Sequence, residues 1–288
     1  MSEKNTSQNN DGASSSQLPV YDSPDLIHIG TMGWSYEDWA GVFYPEGAIS
    51  REYIRLYART FDTVEIDSTF YGTPREPQVR QWAVMTPDNF IFCPKVPRVI
   101  THEMRLQDVL EPLEDFVRVM GLLGPKRGPM LLQMPPDFTR AELGNLRTFL
   151  PTLRSLQDTG GRFAIEFRHR SLIGTDISQM LTAHGVALAL TDYVSMPRRF
   201  ELTTDFVYMR LIGRHGDYPR HDRLYGDRTA SMQDWANALR ASQGKYTAAY
   251  VHCNNDYEGY SPATANRLKG MLGLPILADP PAIQGSLF

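Results

Sequence analysis

Thr63-Val64-Glu65-Ile66-Asp67-Ser68-Thr69-Phe70-Tyr71 decides how the chain is read. Val64 and Ile66 alternate with Glu65 and Asp67, so the stretch predicts a short strand with one apolar and one acidic face. No Lys or Arg lies inside it to pair with the acids. If both faces are covered, two carboxylates point into the interior, where they need a partner, hydrogen bonds or a use.

Working outward, eight short apolar runs recur: Ile27–Thr31, Thr63–Asp67, Phe90–Lys95, Met130–Gln133, Phe163–Arg168, Val186–Thr191, Phe206–Ile212 and Ala248–Cys253. Most gaps hold a segment of helical period. Leu110, Leu113, Phe116, Val117 and Met120 form one apolar stripe, ended by Gly124-Pro125. Thr139 and Glu142 form a capping box ahead of Leu143, Leu146, Phe149, Leu150 and Leu153. Ser231 with Asp234 offers a second start of that kind. Strands alternating with helices predict an α/β fold with parallel strands, and eight such units predict a (β/α)8 TIM barrel. Only Asp192–Asp205, with Pro197 inside it, separates strands six and seven, so an irregular crossover is expected there. An open doubly wound sheet is the other architecture, but Gly30-Thr31-Met32-Gly33-Trp34 is a poor match to its phosphate loop.

In a barrel the alternate side chains of each strand face the lumen. That rule gathers Glu65, Asp67, Lys95, Gln133, Glu166, Arg168, Tyr208, Arg210, His252 and Asn254 near strand C-terminal ends, where barrel active sites lie.

The chain's 288 residues suit one barrel, expected over 26–275 between an N-terminal tail (1–25) and a C-terminal tail (276–288). Met1–Gln17 is rich in Ser, Asn and Gln without an apolar core, which predicts a disordered tail rather than a secretory signal. No apolar run spans a bilayer, so no membrane partner is expected. The net charge of −4 places any anion site in local clusters. Cys93 and Cys253, far apart in apolar runs, read as core thiols and fit a cytoplasmic location.

The chain resembles the YecE-like domain-of-unknown-function family 72 from about Ile27 to Leu268. The resemblance rests on Ile29-Gly30-Thr31-Met32-Gly33-Trp34-Ser35-Tyr36, Val64–Tyr71, Lys95 with Thr101-His102, Leu132–Pro136, Glu166-Phe167-Arg168-His169 and Asn254-Asn255-Asp256. It implies a TIM barrel and supplies no established reaction. Asp67 stands where the family usually has Asn, and Leu172 where Trp is usual.

Glu65 and Glu166 are the acid/base candidates, approaching from opposite sides of the lumen as paired-carboxylate hydrolases require. His252 is grouped with them. The alternative is a charge network in which Lys95, Arg168 and Arg210 neutralise the acids. Lys95, Arg168, His169, Arg210 and His252 make the mouth basic, with Arg98 and His102 following strand three. Arginine forks suit phosphate or carboxylate. Glu166, His252 and Asp67 or Asp256 could ligate a divalent metal, which neighbouring cations disfavour. Trp34 and Tyr36 could form an aromatic rim, while Trp39 and Phe43 are expected to pack a loop.

Gln284-Gly285-Ser286-Leu287-Phe288 resembles the peptide by which bacterial repair and replication proteins bind the sliding clamp. Gln284, Leu287 and Phe288 would make the contacts. The first functional expectation is an enzyme hydrolysing a phosphate-bearing substrate, nucleic acid included. The alternatives are a glycosidase or sugar-processing barrel on the same carboxylates, and a non-catalytic nucleic-acid-associated adaptor.

Overall fold

A computed structural model describes residues 27–157 and 160–276. The expected N-terminal tail, and residues 277–288 with Gln284, Leu287 and Phe288, lie outside the described residues. The described chain is a mixed α/β fold whose strand pairs are all parallel. One sheet has six strands. Its spatial order is β3 (Ile91–Pro94), β2 (Thr63–Ile66), β1 (Ile27–Met32), β9 (Ala248–Cys253), β8 (Phe206–Leu211) and β7 (Leu190–Asp192). The other has three, in the order β4 (Met130–Gln133), β5 (Phe163–Glu166) and β6 (Ala187–Leu188). Isolated parallel bridges, Phe92–Arg127 and Lys95–Leu131, lie where β3 meets β4.

The apolar run at 186–191 forms two strands, because its neighbours change at Ala189. Before that point Thr203 Oγ1 accepts from the Leu188 amide at 2.7 Å and donates to the Val186 carbonyl at 2.8 Å. After it, Leu190 comes into register with Met209 of β8. Residues 193–205 run back to β8 through turns and bends.

Strand parity sorts the core into two clusters. Val64, Ile66, Phe92, Leu132, Ile165, Val207, Met209 and Val251 pack outward against the helices. Cys93, Leu131, Ala164, Ala187, Ala189, Phe206, Tyr208 and Tyr250 pack inward on one another. The small residues of β5 to β7 leave the room that the three rings from β8 and β9 fill.

The outer layer comprises α1 (Tyr53–Tyr57), α2 (Glu76–Met85), α3 (Leu110–Met120), α4 (Leu143–Gln157), α5 (Thr175–Ala183), α6 (Thr229–Ala241), α7 (Asn255–Glu258) and α8 (Ser261–Leu272). The predicted stripes of α3 and α4 are buried apart from Leu110. Each fully buried Leu or Phe contributes about 1.5–3 kcal/mol. The Thr139–Glu142 capping box forms as expected. Ser231 lies inside α6 instead of capping it, and its hydroxyl donates to Asp192.

Among the strand ends that differ from expectation, those of β2 and β5 bear on the site. β2 stops at Ile66, so Asp67 opens a tight helical turn, Asp67–Tyr71. Thr69 Oγ1 braces that turn by donating to the Ile66 and Lys95 carbonyls, both at 2.7 Å. β5 stops at Glu166, two residues short of Arg168.

Candidate active site

Glu65, Glu166 and Arg210 meet at the C-terminal end of the inward faces. Arg210 Nη2 and Nε donate to Glu65 Oε1 and Oε2 at 2.7 and 2.9 Å. Its Nη1 donates to Glu166 Oε2 at 2.6 Å. The Tyr208 hydroxyl, two residues back on the same face of β8, donates to Glu65 Oε2 at 2.7 Å. Arg168 Nε donates to the other Glu166 oxygen, and its guanidinium lies 4.1 Å over the Tyr193 ring. Met32 Sδ receives Arg210 Nη2 at 3.3 Å.

Both glutamates are fully buried. Burial alone would raise the Glu166 carboxyl, but Arg168 and Arg210 outweigh it and hold it at about 2. Burial also works against the Arg210 charge, yet Glu166 and Glu65 keep it firmly protonated. A carboxyl at about 2 has no proton to give near neutral pH. The acid role expected for Glu166 is therefore corrected to that of a fixed anion. Glu65 is not a free base either, because both its oxygens already accept hydrogen bonds. Here the charge network prevails over the paired-carboxylate arrangement.

Asp67 is different. Leaving the strand frees its carboxylate from the Arg210 fork, which comes no nearer than 4.0 Å. Lys95 Nζ lies 3.4 Å from its Oδ1 and 4.4 Å above the Phe70 ring. The Asp67 side chain keeps 33% exposure. It opens onto a cleft of about 530 Å³, with Trp34, Tyr36, Tyr71 and Trp82 among its lining residues. The confined setting strips solvation from the carboxylate and the charge of Glu65 opposes it, so its pKa is raised although Lys95 pulls it down. A raised carboxyl beside an ammonium at the base of a cleft is suited to exchanging protons.

Trp34 packs edge-on against Trp82 at 5.5 Å, and Tyr36 donates its hydroxyl to the Met32 carbonyl. Both expected rim residues thus reach the cleft, whereas Trp39 and Phe43 are buried in the loop core. His102 sits edge-on to Phe70 at 4.9 Å, and its Nδ1 is 2.8 Å from Thr101 Oγ1. Burial, then Lys95 and Arg98, push its pKa down, favouring the neutral ring.

The remaining candidates do not reach the cleft. His252 is fully buried, with Nε2 3.4 Å from Thr63 Oγ1 and its ring 5.3 Å from that of Tyr208. Its Nδ1 has no hydrogen-bond partner among the described residues. Burial and then Arg210 hold its pKa at about 3, so it is a neutral interior ring and neither an anion holder nor a proton shuttle for solvent. Gln133 stands in register with Glu166, half-buried. Asn254 caps α7 by accepting from the Asp256 amide at 2.8 Å and turns its Nδ2 to Met32 Sδ at 3.4 Å.

The metal-ligand candidates are dispersed. Arginines take both Glu166 oxygens, and Asp256 faces His215 and His221 at 3.0 and 3.5 Å. Among the described residues no group of three or more His, Cys, Asp or Glu could hold a metal ion. Sequence reasoning passed over Arg51, Gln78, Gln81 and Trp82. They line the cleft from α2 and the turn before α1, and a polar helix face carries no local sign of a ligand site.

Residues 28–284 match the family model described as protein of unknown function DUF72. UPF0759 protein YecE of Escherichia coli (strain K12) is 34% identical over 144 residues, 50% of this chain and 49% of the relative. That match spans about half the relative's length. UPF0759 protein YunF of Bacillus subtilis (strain 168) is 28% identical over 277 residues, 86% of this chain and 95% of the relative. The crystal structure of a family protein from Thermotoga maritima MSB8 superposes with TM-score 0.73 at 28% identity, covering 86% of this chain and 99% of that one. One from Enterococcus faecalis V583 gives TM-score 0.72 at 21% identity, with 90% and 100% covered, and speaks to the fold alone. Among the described residues no helix is long and apolar enough to cross a membrane.

Proposed function

The chain belongs to the DUF72 family, whose description names no activity, and from the site itself we propose a TIM-barrel enzyme that performs acid/base chemistry on a polar, sugar-like ligand. The carrying observation is Asp67, raised in pKa, open to the cleft and 3.4 Å from Lys95. Asp67 would exchange a proton with a ligand hydroxyl or carbon. The Lys95 ammonium would steady charge developing on the adjacent ligand oxygen. The network of Glu65, Arg210, Glu166 and Arg168 would hold the strand ends rigid behind them. Trp34 and Trp82 supply apolar faces of the kind sugars stack on.

In this reading the sheets close into one (β/α)8 barrel. The Lys95–Leu131 bridge supports closure on one side, and the continuity of β6 and β7 through Ala189 supports it on the other. Residues 193–205 then serve as the irregular crossover.

The site favours this sugar-like reading over hydrolysis of a phosphate-bearing substrate. Lys95, Arg168 and Arg210 face Asp67, Glu166 and Glu65, so three positive charges meet three negative ones and none of these three is left to hold a phosphate at the reacting atoms. The test is D67N assayed against a panel of sugars and sugar derivatives for isomerisation, elimination and hydrolysis. Activity on the responding substrate should fall by about 100-fold or more, with the melting temperature unchanged. Full activity in D67N would overturn the assignment.

A further inference from the structure

The cleft that contains Asp67 also includes Arg51, on the turn Ser50–Glu52 ahead of α1. Arg51 is exposed. Among the described residues it has no hydrogen-bond or ion-pair partner, and the neighbouring Glu52 is taken by Arg55 at 3.1 Å. This sets it apart from Lys95, Arg168 and Arg210, each of which lies against a carboxylate. Other polar side chains of the cleft are uncommitted too. Ser68, Gln78 and Gln81 line it, and their side chains make no hydrogen bond within the described residues. Gln78 and Gln81 stand three apart on α2, hence on one helix face.

A cleft with the Asp67 carboxyl, neutral amide and hydroxyl groups and, among its described residues, the uncommitted cation Arg51 is complementary to a ligand with matching parts. Building on the reading of the cleft as a ligand site, we propose that Arg51 receives a single anionic group of that ligand. The neutral hydroxylated part lies toward Gln78, Gln81 and Asp67. The guanidinium fork binds two oxygens of a phosphate monoester or a carboxylate equally well in geometry. The ligand class is therefore a sugar bearing one acidic group, away from the reacting atoms.

Glucose, glucose 6-phosphate and glucuronate serve as probes, titrated calorimetrically into wild type, R51Q and D67N at low salt. The wild type should bind at least one anionic probe about ten-fold more tightly than glucose. R51Q should bring that probe to the glucose level, leaving glucose affinity and the melting temperature unchanged. The probe that benefits identifies the acidic group as phosphate or carboxylate. Equal binding of all three by the wild type, or a preference that survives in R51Q, overturns the role of Arg51 while leaving the cleft reading in place. Failure of every probe to bind, or binding that D67N leaves untouched, overturns the cleft reading and this inference with it.

Discussion

At the scale of single residues, position in the charge network decides what each ionisable group can do. Glu65 and Asp67 are two apart in sequence, yet one is locked under an arginine fork and the other opens onto a cleft. His252 shows the energetic consequence most directly. Its folded pKa of about 3 lies below the ordinary 6.5, so between those values the unfolded chain binds one more proton than the folded one. Stability from this group is complete above pH 6.5 and is lost as pH falls toward 3, by about 1.4 kcal/mol per pH unit. Glu166 acts in the same direction lower down. Its stabilisation is present above 4.5 and is lost as pH falls through about 2. Urea unfolding measured from pH 7 to 4.5 should slope steeply for wild type and more shallowly for H252N, by about that one-proton increment. Equal slopes would mean His252 already carries a proton in the native state. The inward location of His252 was legible from strand alternation. Its neutrality was not, because that depends on the packing of Tyr208, Thr63 and Arg210 around it.

At the scale of elements, β1 and β2 are set by a close approach that a single glycine permits. A Cβ on Gly30 would lie 2.0 Å from the Thr63 carbonyl oxygen and 2.8 Å from the Tyr57 hydroxyl. The first of these is backbone of the facing strand and cannot rotate away. The Tyr57 hydroxyl is also committed, donating to the Thr63 carbonyl at 3.0 Å and accepting from the Thr31 amide at 2.8 Å. G30A should therefore push the strands apart and lower stability by about 1–3 kcal/mol, read from chemical denaturation. A change within about 0.5 kcal/mol, the range of ordinary surface substitutions, would show that β1 tolerates a shift here. Most elements were readable from periodicity. The breaks were not: β2 ends before Asp67 because Thr69 draws the chain into a turn, and the run at 186–191 divides because Thr203 covers one edge.

At the scale of the whole molecule, the described fold keeps its inner charges balanced and places its cleft to one side, between the loops after β1 and β2 and helices α1 and α2. The C-terminal peptide Gln284–Phe288 lies outside the described residues, and its docking to a sliding clamp is a proposal of its own. Leu287 and Phe288 would fill an apolar pocket while Gln284 hydrogen-bonds, giving an affinity on the order of micromolar. Deleting the five residues should abolish capture by the host's clamp in a pull-down and leave the melting temperature of the protein unchanged. Capture that is indifferent to the deletion would remove the proposal.

The sequence by itself determined the alternation of strands and helices, the inward or outward sense of most strand residues, and the gathering of polar groups at one end. These follow from period-two and period-3.6 patterns, which are local and survive without knowledge of distant partners. Its motifs also pointed to the family. Only the tertiary structure decided which charges pair. Arg210 reaches Glu65 across 145 residues and Glu166 across 44, and those bonds tie both carboxylates into one buried charge network. The tertiary structure also brought Arg51 and the α2 glutamines to the same cleft as Asp67. A carboxylate's role depends on differences of an ångström in the placement of cations and solvent around it, and no pattern along one strand encodes the spacing between strand tips and a neighbouring helix face.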